Sequence, residues 1–399
     1  MMKKCVSCLL VCLFLIGLVP LCAQAEAAPR VIVRAGGSFG IALDQKGQIW
    51  GWGDNSSGQL GKPKPNRNVY TPEITATELD GSQIADIQCG NVSTLFLLKD
   101  GTVYTCGNNN YGQQGQPGKV ERVKTPTRIE GLTDIVQVAA GFGQCMALDS
   151  SGSVWVWGRN SNGQLGTPDK KGARAPVKLA LTDIVDVQCG GKYSMAVAKD
   201  GTVWGFGEND YGQLGEGLPL GNQWLPVKLS VSGRFQKIAC GGDVAYGLDE
   251  DGKVWAWGRN DYWQLGTREV GRYSASPVRV SLPEQLSFVR LVAYNSHVSA
   301  MTAEGGVWTW GGVYHGQVGN GKRPWRDVPT VGSPEKGVLD MDVGSLQSLM
   351  VDEKGQVYGC GGNEYGQTGG FNRIQYYVGK WTDTGLNLFS GTWEKTANQ

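Results

Sequence analysis

The sequence predicts an all-β protein, a seven-bladed β-propeller of four-stranded antiparallel blades, on three observations. An aromatic-x-x-Gly tetrad recurs seven times, as WGWG at 50, YTCG at 104, WVWG at 155, WGFG at 204, WAWG at 255, WTWG at 308 and YGCG at 358. A second motif follows at a fixed distance: GQLG at 58, GQQG at 112, GQLG at 163, GQLG at 212, WQLG at 263, GQVG at 316 and GQTG at 366. Glycine supplies 61 of 399 residues, roughly twice the usual ~7%, as many tight turns require. Copies spaced by about 50 residues are one supersecondary unit repeated, each needing its neighbours to cover its apolar face.

The chain opens with a segment that reads as an export signal and stands outside the fold. Lys3 and Lys4 precede an apolar core of 15 residues, Cys5 to Val19, shorter than the ~20 needed to span a bilayer. Pro20 ends the core and Ala23-Gln24-Ala25 supplies a small-x-small site, so cleavage is expected between Ala25 and Glu26. The expectation is a secreted, extracellular monomer without stable membrane insertion, free or associated with a cell wall. Cleavage leaves six of the ten cysteines: Cys89, Cys106, Cys145, Cys189, Cys240 and Cys360. No two of these stand closer than 17 positions, so no CxxC pair exists. Buried free thiols are expected, even in a compartment that permits disulfides.

Each repeat divides into four short strands. In the fourth copy Val185, Val187 and Cys189 alternate with Asp186 and Gln188, Gly190-Gly191 turns the chain, and Met195 and Val197 alternate with alanines. Asp200-Gly201 signals a hairpin, after which Val203 to Gly207 carries Trp204 and Phe206 on one face. A proline opens the fourth strand in six copies, at Pro72, Pro126, Pro176, Pro226, Pro277 and Pro329. The seventh copy lacks it. Its expected fourth strand, Tyr376 to Trp381, with Leu386 to Trp393, is expected to pair with or pack beside the first blade and close the ring. Residues 26–399 read as one domain, with 376–399 as its closure segment.

Composition narrows the function. Fourteen tryptophans exclude a disordered chain, and a net charge of +1 gives no bulk attraction to nucleic acid. The GxSxG match at 36–40 lies in a strand-to-strand turn, and the GxxxxGK match at 316–322 continues with Arg323 where a magnesium-binding Ser or Thr is needed. His297 and His315 both fall in copy six, on loops that should emerge on one face. A metal or acid–base pair there lacks a third ligand. No catalytic residue, metal or cofactor is expected. Asn55 and Asn91 stand in glycosylation sequons.

The linked motifs V-x-x-C/A-G-G, D-G-x-V-W-x-W-G and N-x-x-G-Q-L-G, followed by a proline, resemble the regulator of chromosome condensation repeat family over roughly residues 31 to 381. The resemblance implies a seven-bladed propeller. It also implies binding roles: guanine-nucleotide exchange on a nuclear GTPase for the family's founder, β-lactamase inhibition for one secreted bacterial propeller. With its leader, the chain reads as a secreted bacterial-type member. The histidine common after the Gly-Gly turn survives only as His297, where the other copies have Phe39, Ser93, Gln144, Tyr193, Val244 and Gln347. An activity that uses a ring of such histidines does not carry over.

A meander alternates ends, so the Gly-Gly turns and the long loops after the second motif share one face, here the upper. Its six long loops sum to a charge of +9, while the lower links are rich in Asp and Glu. The repeated glutamines and glycines read as structural, leaving function to what differs among copies. The candidate binding residues are Trp224, Trp263, Trp325, Arg323, Arg326, Phe39, Phe142, Tyr193, His297 and His315. Trp263 replaces a glycine kept in the other six copies, and Trp224 and Trp325 stand in the long loops. The leading reading is a non-enzymatic scaffold that binds an extracellular protein through its upper face. The alternative is binding of an anionic or carbohydrate cell-wall polymer, with nucleotide exchange or an enzyme behind both.

Overall fold

An aspartate fixes the hairpin between the second and third strands. Asp149 accepts hydrogen bonds from the backbone N–H groups of Ser151 (3.0 Å) and Ser153 (2.9 Å), and its second oxygen accepts from Trp155 Nε1 (3.2 Å). Asp44 and Asp249 treat Trp50 and Trp255 the same way, at 2.8 Å. The first aromatic of each of these tetrads is thereby tied to its own turn.

The second aromatic is fully buried against the preceding blade. Trp52, Trp157, Trp257 and Trp310 donate their indole N–H to the carbonyls of Gln367, Gln113, Gln213 and Gln264 at 2.9–3.0 Å. Where the tetrad has cysteine, the thiol takes over: Cys106 donates to the Gln59 carbonyl (3.4 Å) and Cys360 to that of Gln317 (3.3 Å). All six cysteines are buried and free.

The computed structural model describes residues 30–62, 68–230, 234–312, 314–321, 326–331, 337–370 and 377–395, with only the backbone given for 326–328 and 377–379. Ala25, Glu26 and the rest of the leader lie outside them. Seven antiparallel sheets follow one another, each in meander order, as the repeats predict. Blade 4, for example, comprises Ile184–Cys189, Tyr193–Ala198, Val203–Gly207 and Gln223–Lys228. Blade 7 has five strands, because Thr392–Trp393 pairs outside Tyr377–Asn387. Among the described residues no helix is long and apolar enough to cross a membrane.

Ring closure takes a different form from strand pairing between the chain's ends. The strand Tyr377–Asn387 pairs with Gln356–Gly362 of its own blade. It meets blade 1 through side chains: Leu386 and Leu388 share a buried cluster with Ile32, Phe39 and Trp52. Gln45 N–H also donates to the Leu388 carbonyl at 2.9 Å. Tyr376 lies outside the described residues.

The innermost strands surround a central channel with a cavity of about 470 Å³. Their channel-facing edges have no ladder partner, and side chains of the adjacent blade fill that need. Asp186 accepts from Gln137 Nε2 (2.7 Å) and from Ile238 N–H (3.2 Å). Asp340 and Asp342 accept from Val33 N–H (3.0 Å) and Ala35 N–H (2.9 Å) across the closing joint.

Candidate functional site

The loop carrying the second motif is rigid, and its rigidity is what presents side chains on the upper face. In all seven copies the motif glutamine's Oε1 accepts from the backbone N–H two residues earlier, at 2.8–3.0 Å. In six copies an asparagine four residues before it accepts from the N–H five residues on, as Asn260 does from Leu265 at 3.0 Å. The repeated residues are therefore structural, and the outward-facing positions between them are free to vary.

On blades 4 to 6 those positions form a continuous aromatic and cationic arc. The Arg259 guanidinium lies 4.7 Å from the ring centre of Tyr211 and 5.5 Å from that of Tyr262. Tyr262 packs edge-on against Tyr314 at 5.6 Å. Arg259 is pinned by Asp261 (2.8 Å) and Asp243 (3.1 Å), which outweigh the cost of burial and raise its pKa. Arg159 repeats the stacking over Tyr111 at 4.9 Å. The sequence signal for both pairs is an arginine directly after one tetrad and a tyrosine two residues before the preceding copy's motif glutamine.

Trp263 sits within this arc and is its most unusual residue. Its φ is +62°, in the left-handed region, yet it carries a bulky side chain that is 37% exposed. The six other copies place glycine there, all with φ between +71° and +89°. An L-residue in this region is strained by roughly 1–2 kcal/mol, and such strain concentrates where function maintains it.

The other expected site residues divide. Phe39 and Tyr193 are not surface residues: each begins a second strand, fully buried, because its ring tucks under the Gly-Gly turn that precedes it. The Tyr193 hydroxyl donates to the Val244 carbonyl of the next blade at 2.5 Å. Phe142 does lie on a turn, half-buried, and its ring meets Tyr294 across the channel at 5.2 Å. The two rings narrow the upper mouth, a pairing between blades 3 and 6 that sequence spacing does not reveal.

Trp224 belongs to the outermost strand of blade 4 instead of a loop, and Lys170 covers its ring at 4.9 Å. The charged neighbour of this indole is thus contributed by the preceding blade. His297 is buried, with Nε2 3.3 Å from Ser348 Oγ, whereas His315 is exposed. Their environments show no shared site, and no group of three metal-capable side chains occurs among the described residues. Arg323 and Trp325 lie outside the described residues, and Arg326 begins an outer strand of which only the backbone is given there. The positive charge expected of the long loops is partly cancelled, since Arg272 pairs with Asp261 at 2.8 Å and Lys62 with Glu73.

Comparison with known proteins agrees with this architecture. The RCC1-like domain model matches residues 18–223, and Regulator of chromosome condensation (RCC1) repeat models match 200–247, 251–301 and 235–264. The ultraviolet-B receptor UVR8 of Arabidopsis thaliana is 30% identical over 359 residues, covering 88% of this chain and 70% of the receptor. The human E3 ubiquitin-protein ligase HERC2 is 34% identical over 364 residues, 87% of this chain but 7% of the ligase. Human WBSCR16 superimposes with a TM-score of 0.71 at 27% identity, over 80% of this chain and 85% of that one. Yeast RCC1 (Prp20), crystallised with Kap60, superimposes with a TM-score of 0.74 at 22% identity, over 88% and 85%, a likeness of fold.

Proposed function

The chain belongs to the regulator of chromosome condensation (RCC1) repeat family, and from that premise we propose that it is a non-enzymatic scaffold, exported from the cell, that binds a protein partner through its upper face. The observation that carries this reading is Trp263: a strained, exposed indole where every other copy keeps glycine. Rigid aromatics and arginine are the residues that anchor interfaces, and here they stand side by side as Tyr211, Arg259, Tyr262 and Tyr314. The yeast relative Prp20 was crystallised with a protein partner, Kap60. Export rests on the Lys3-Lys4 start, the short apolar core and the Ala23-Gln24-Ala25 site. That the chain is a secreted bacterial-type member stays part of this proposal, since UVR8 and HERC2 come from eukaryotes.

The test is affinity capture with the mature protein from its own extracellular medium, with Trp263→Gly and Tyr314→Ala as parallel baits. A protein held by the parent and lost by both variants supports the reading. Equal capture by all three baits refutes it. Ionic strength separates the polymer alternative: attachment by basic loops fades steeply with salt, whereas a desolvated aromatic interface persists.

A further inference from the structure

Blades 3 and 5 set an arginine over a tyrosine of the preceding blade in the same way, yet only one of the two arginines is neutralised. Arg259, over Tyr211, meets Asp261 at 2.8 Å and Asp243 at 3.1 Å. Arg159, over Tyr111, has Ser161 and Gly143 at those two positions. Its Nε–H donates to Ser161 Oγ at 2.8 Å, and among the described residues no carboxylate pairs with it. The half-buried guanidinium therefore keeps the two ends of its fork for an acceptor from outside the chain.

Two further cations converge on the same place. A pocket of about 390 Å³ between blades 2 and 3, on the upper face, is lined by Arg159, Lys170 and Arg174 together with Tyr111, Asn110 and Ser161, and no carboxylate lines it. Lys170 lies over the Trp224 ring at 4.9 Å, and Arg174 Nη1 donates to the Gly118 carbonyl at 3.0 Å. The acids of the two flanking loops are Glu121 and Asp169, and with both counted residues 116–125 and 167–175 still carry a net charge of +2 each. Asp169 is occupied by its own loop, accepting from Thr167 Oγ1 (3.0 Å) and the Lys171 N–H (3.3 Å). Packing does not call for a cation at Arg174. The residue that stands there against the motif glycine of the preceding blade is Tyr70, Trp224 or Ala275 in blades 1, 4 and 5.

We infer that this pocket binds the phosphomonoester group of a small polar molecule, a sugar phosphate. Three cations with no carboxylate among them call for more than one negative charge. A phosphomonoester brings about −1.5 to −2 at pH 7, a carboxylate only one. Its tetrahedral oxygens accept from a guanidinium fork on one side and an ammonium on another, which a planar carboxylate does less well. The volume falls within the roughly 300–1,000 Å³ of small-ligand pockets. At about 30 Å³ of liquid per water it equals about a dozen waters, more than a lone phosphate displaces. Asn110, exposed at the rim, offers a carboxamide donor and acceptor to sugar hydroxyls. The site stands apart from the aromatic arc of blades 4 to 6 and does not rest on protein binding there.

The test is isothermal titration calorimetry of the full mature chain at low ionic strength with glucose 6-phosphate, inorganic phosphate, glucose and glucuronate. Glucose 6-phosphate should bind saturably at one site and inorganic phosphate more weakly, with glucose and the monoanion glucuronate at least about ten-fold weaker than the ester. Arg159→Gln and Lys170→Gln should each weaken the ester about ten-fold, as loss of one charge-assisted hydrogen bond does. Ser161→Asp, which copies the carboxylate that blade 5 carries as Asp261, should abolish binding and leave the melting temperature at that of the parent. Lys178→Gln, which removes a cation elsewhere on blade 3, should bind as the parent does. No binding of the ester, equal binding of glucuronate, or full binding by Ser161→Asp or Arg159→Gln overturns the inference. So does an equal loss in Lys178→Gln, which would report bulk charge. Inorganic phosphate bound as tightly as the ester would assign the pocket to the free ion, and a short phosphoserine peptide bound more tightly would assign it to a protein segment; either result overturns the sugar phosphate.

Discussion

Arg34 and Asp340, 306 positions apart, form the buried ion pair that joins the first blade to the seventh, with Arg34 Nη1 2.7 Å from Asp340 Oδ2. Arg34 also reaches Asp86 of blade 2 at 2.8 Å and donates Nε–H to the Ile87 carbonyl at 2.9 Å, so one guanidinium touches three consecutive blades. Burial opposes ionisation of Asp340, but Arg290 and Arg34 outweigh it and lower the carboxyl's pKa.

Removing Arg34 should therefore take a buried positive charge away from Asp86 and Asp340 at once, leaving Arg290 as the cation paired with Asp340. Arg34→Met is expected to lower stability by about 3–5 kcal/mol, the usual consequence of breaking a buried pair from one side. Urea denaturation followed by tryptophan fluorescence measures this. A loss comparable to that of an exposed pair such as Arg279 and Glu284, under about 1 kcal/mol, would show that closure does not depend on the pair.

Two buried groups should titrate against each other. Burial pushes Asp342 up to about 6 and His297 down to about 4. Asp342 is raised above its unfolded value of about 3.9, so its protonation favours the fold and its contribution grows as pH falls from about 6 towards 4. His297 is depressed below about 6.5, so the stability it contributes above that pH is lost as pH falls towards 4. Relative to the parent, Asp342→Asn should lose stability on acidification through this window and His297→Gln should gain it, each by roughly 2–3 kcal/mol. Glutamine is the residue that copies three and seven already hold there, as Gln144 and Gln347. Thermal melts across the window read the two slopes, and parallel slopes in both variants would contradict the assignment.

Trp263→Gly should make the protein more stable while making it a worse binder. Relief of the left-handed backbone is worth roughly 1 kcal/mol, and loss of an interface anchor costs about 2 kcal/mol or more, some 30-fold in affinity. Calorimetry on the free protein and titration with the captured partner check both halves. Reversing Glu250 and Asp251, exposed on the lower face, should change neither.

Burial raises the pKa of each of the six thiols. The native protein should therefore be inert to a thiol reagent and react only on unfolding. Protein collected outside the cell should then titrate as six thiols if cleavage follows Ala25, and as ten if the leader is retained. Fast reaction in the native state would contradict the burial of Cys89, Cys189 and Cys240 along the channel.

The architecture was legible because it repeats: tetrad and glutamine motif recur in register in all seven blades, and the proline of the outermost strand in six. The site was only partly legible, because spacing orders residues along a blade but does not say which way each ring turns. Phe39 and Tyr193 occupy the position beside the Gly-Gly turn that suggested the surface, and both rotate inward. Trp263 was legible for the reason that made it anomalous, a glycine missing from a glycine position. Tyr294 against Phe142, Lys170 over Trp224, and the gathering of Arg159, Lys170 and Arg174 beside Tyr111 all join separate blades. A linear reading has no register for them.

Among the described residues every blade is built from a contiguous stretch of chain, and none borrows a strand from the far end. The joint between blades 7 and 1 holds kinds of bonds that recur at other joints, an indole on a glutamine carbonyl and a carboxylate on an inner edge. Such a ring has no privileged starting point. A gene circularly permuted to open at any other lower link would encode the same closed wheel, with its order of assembly changed and its finished geometry kept.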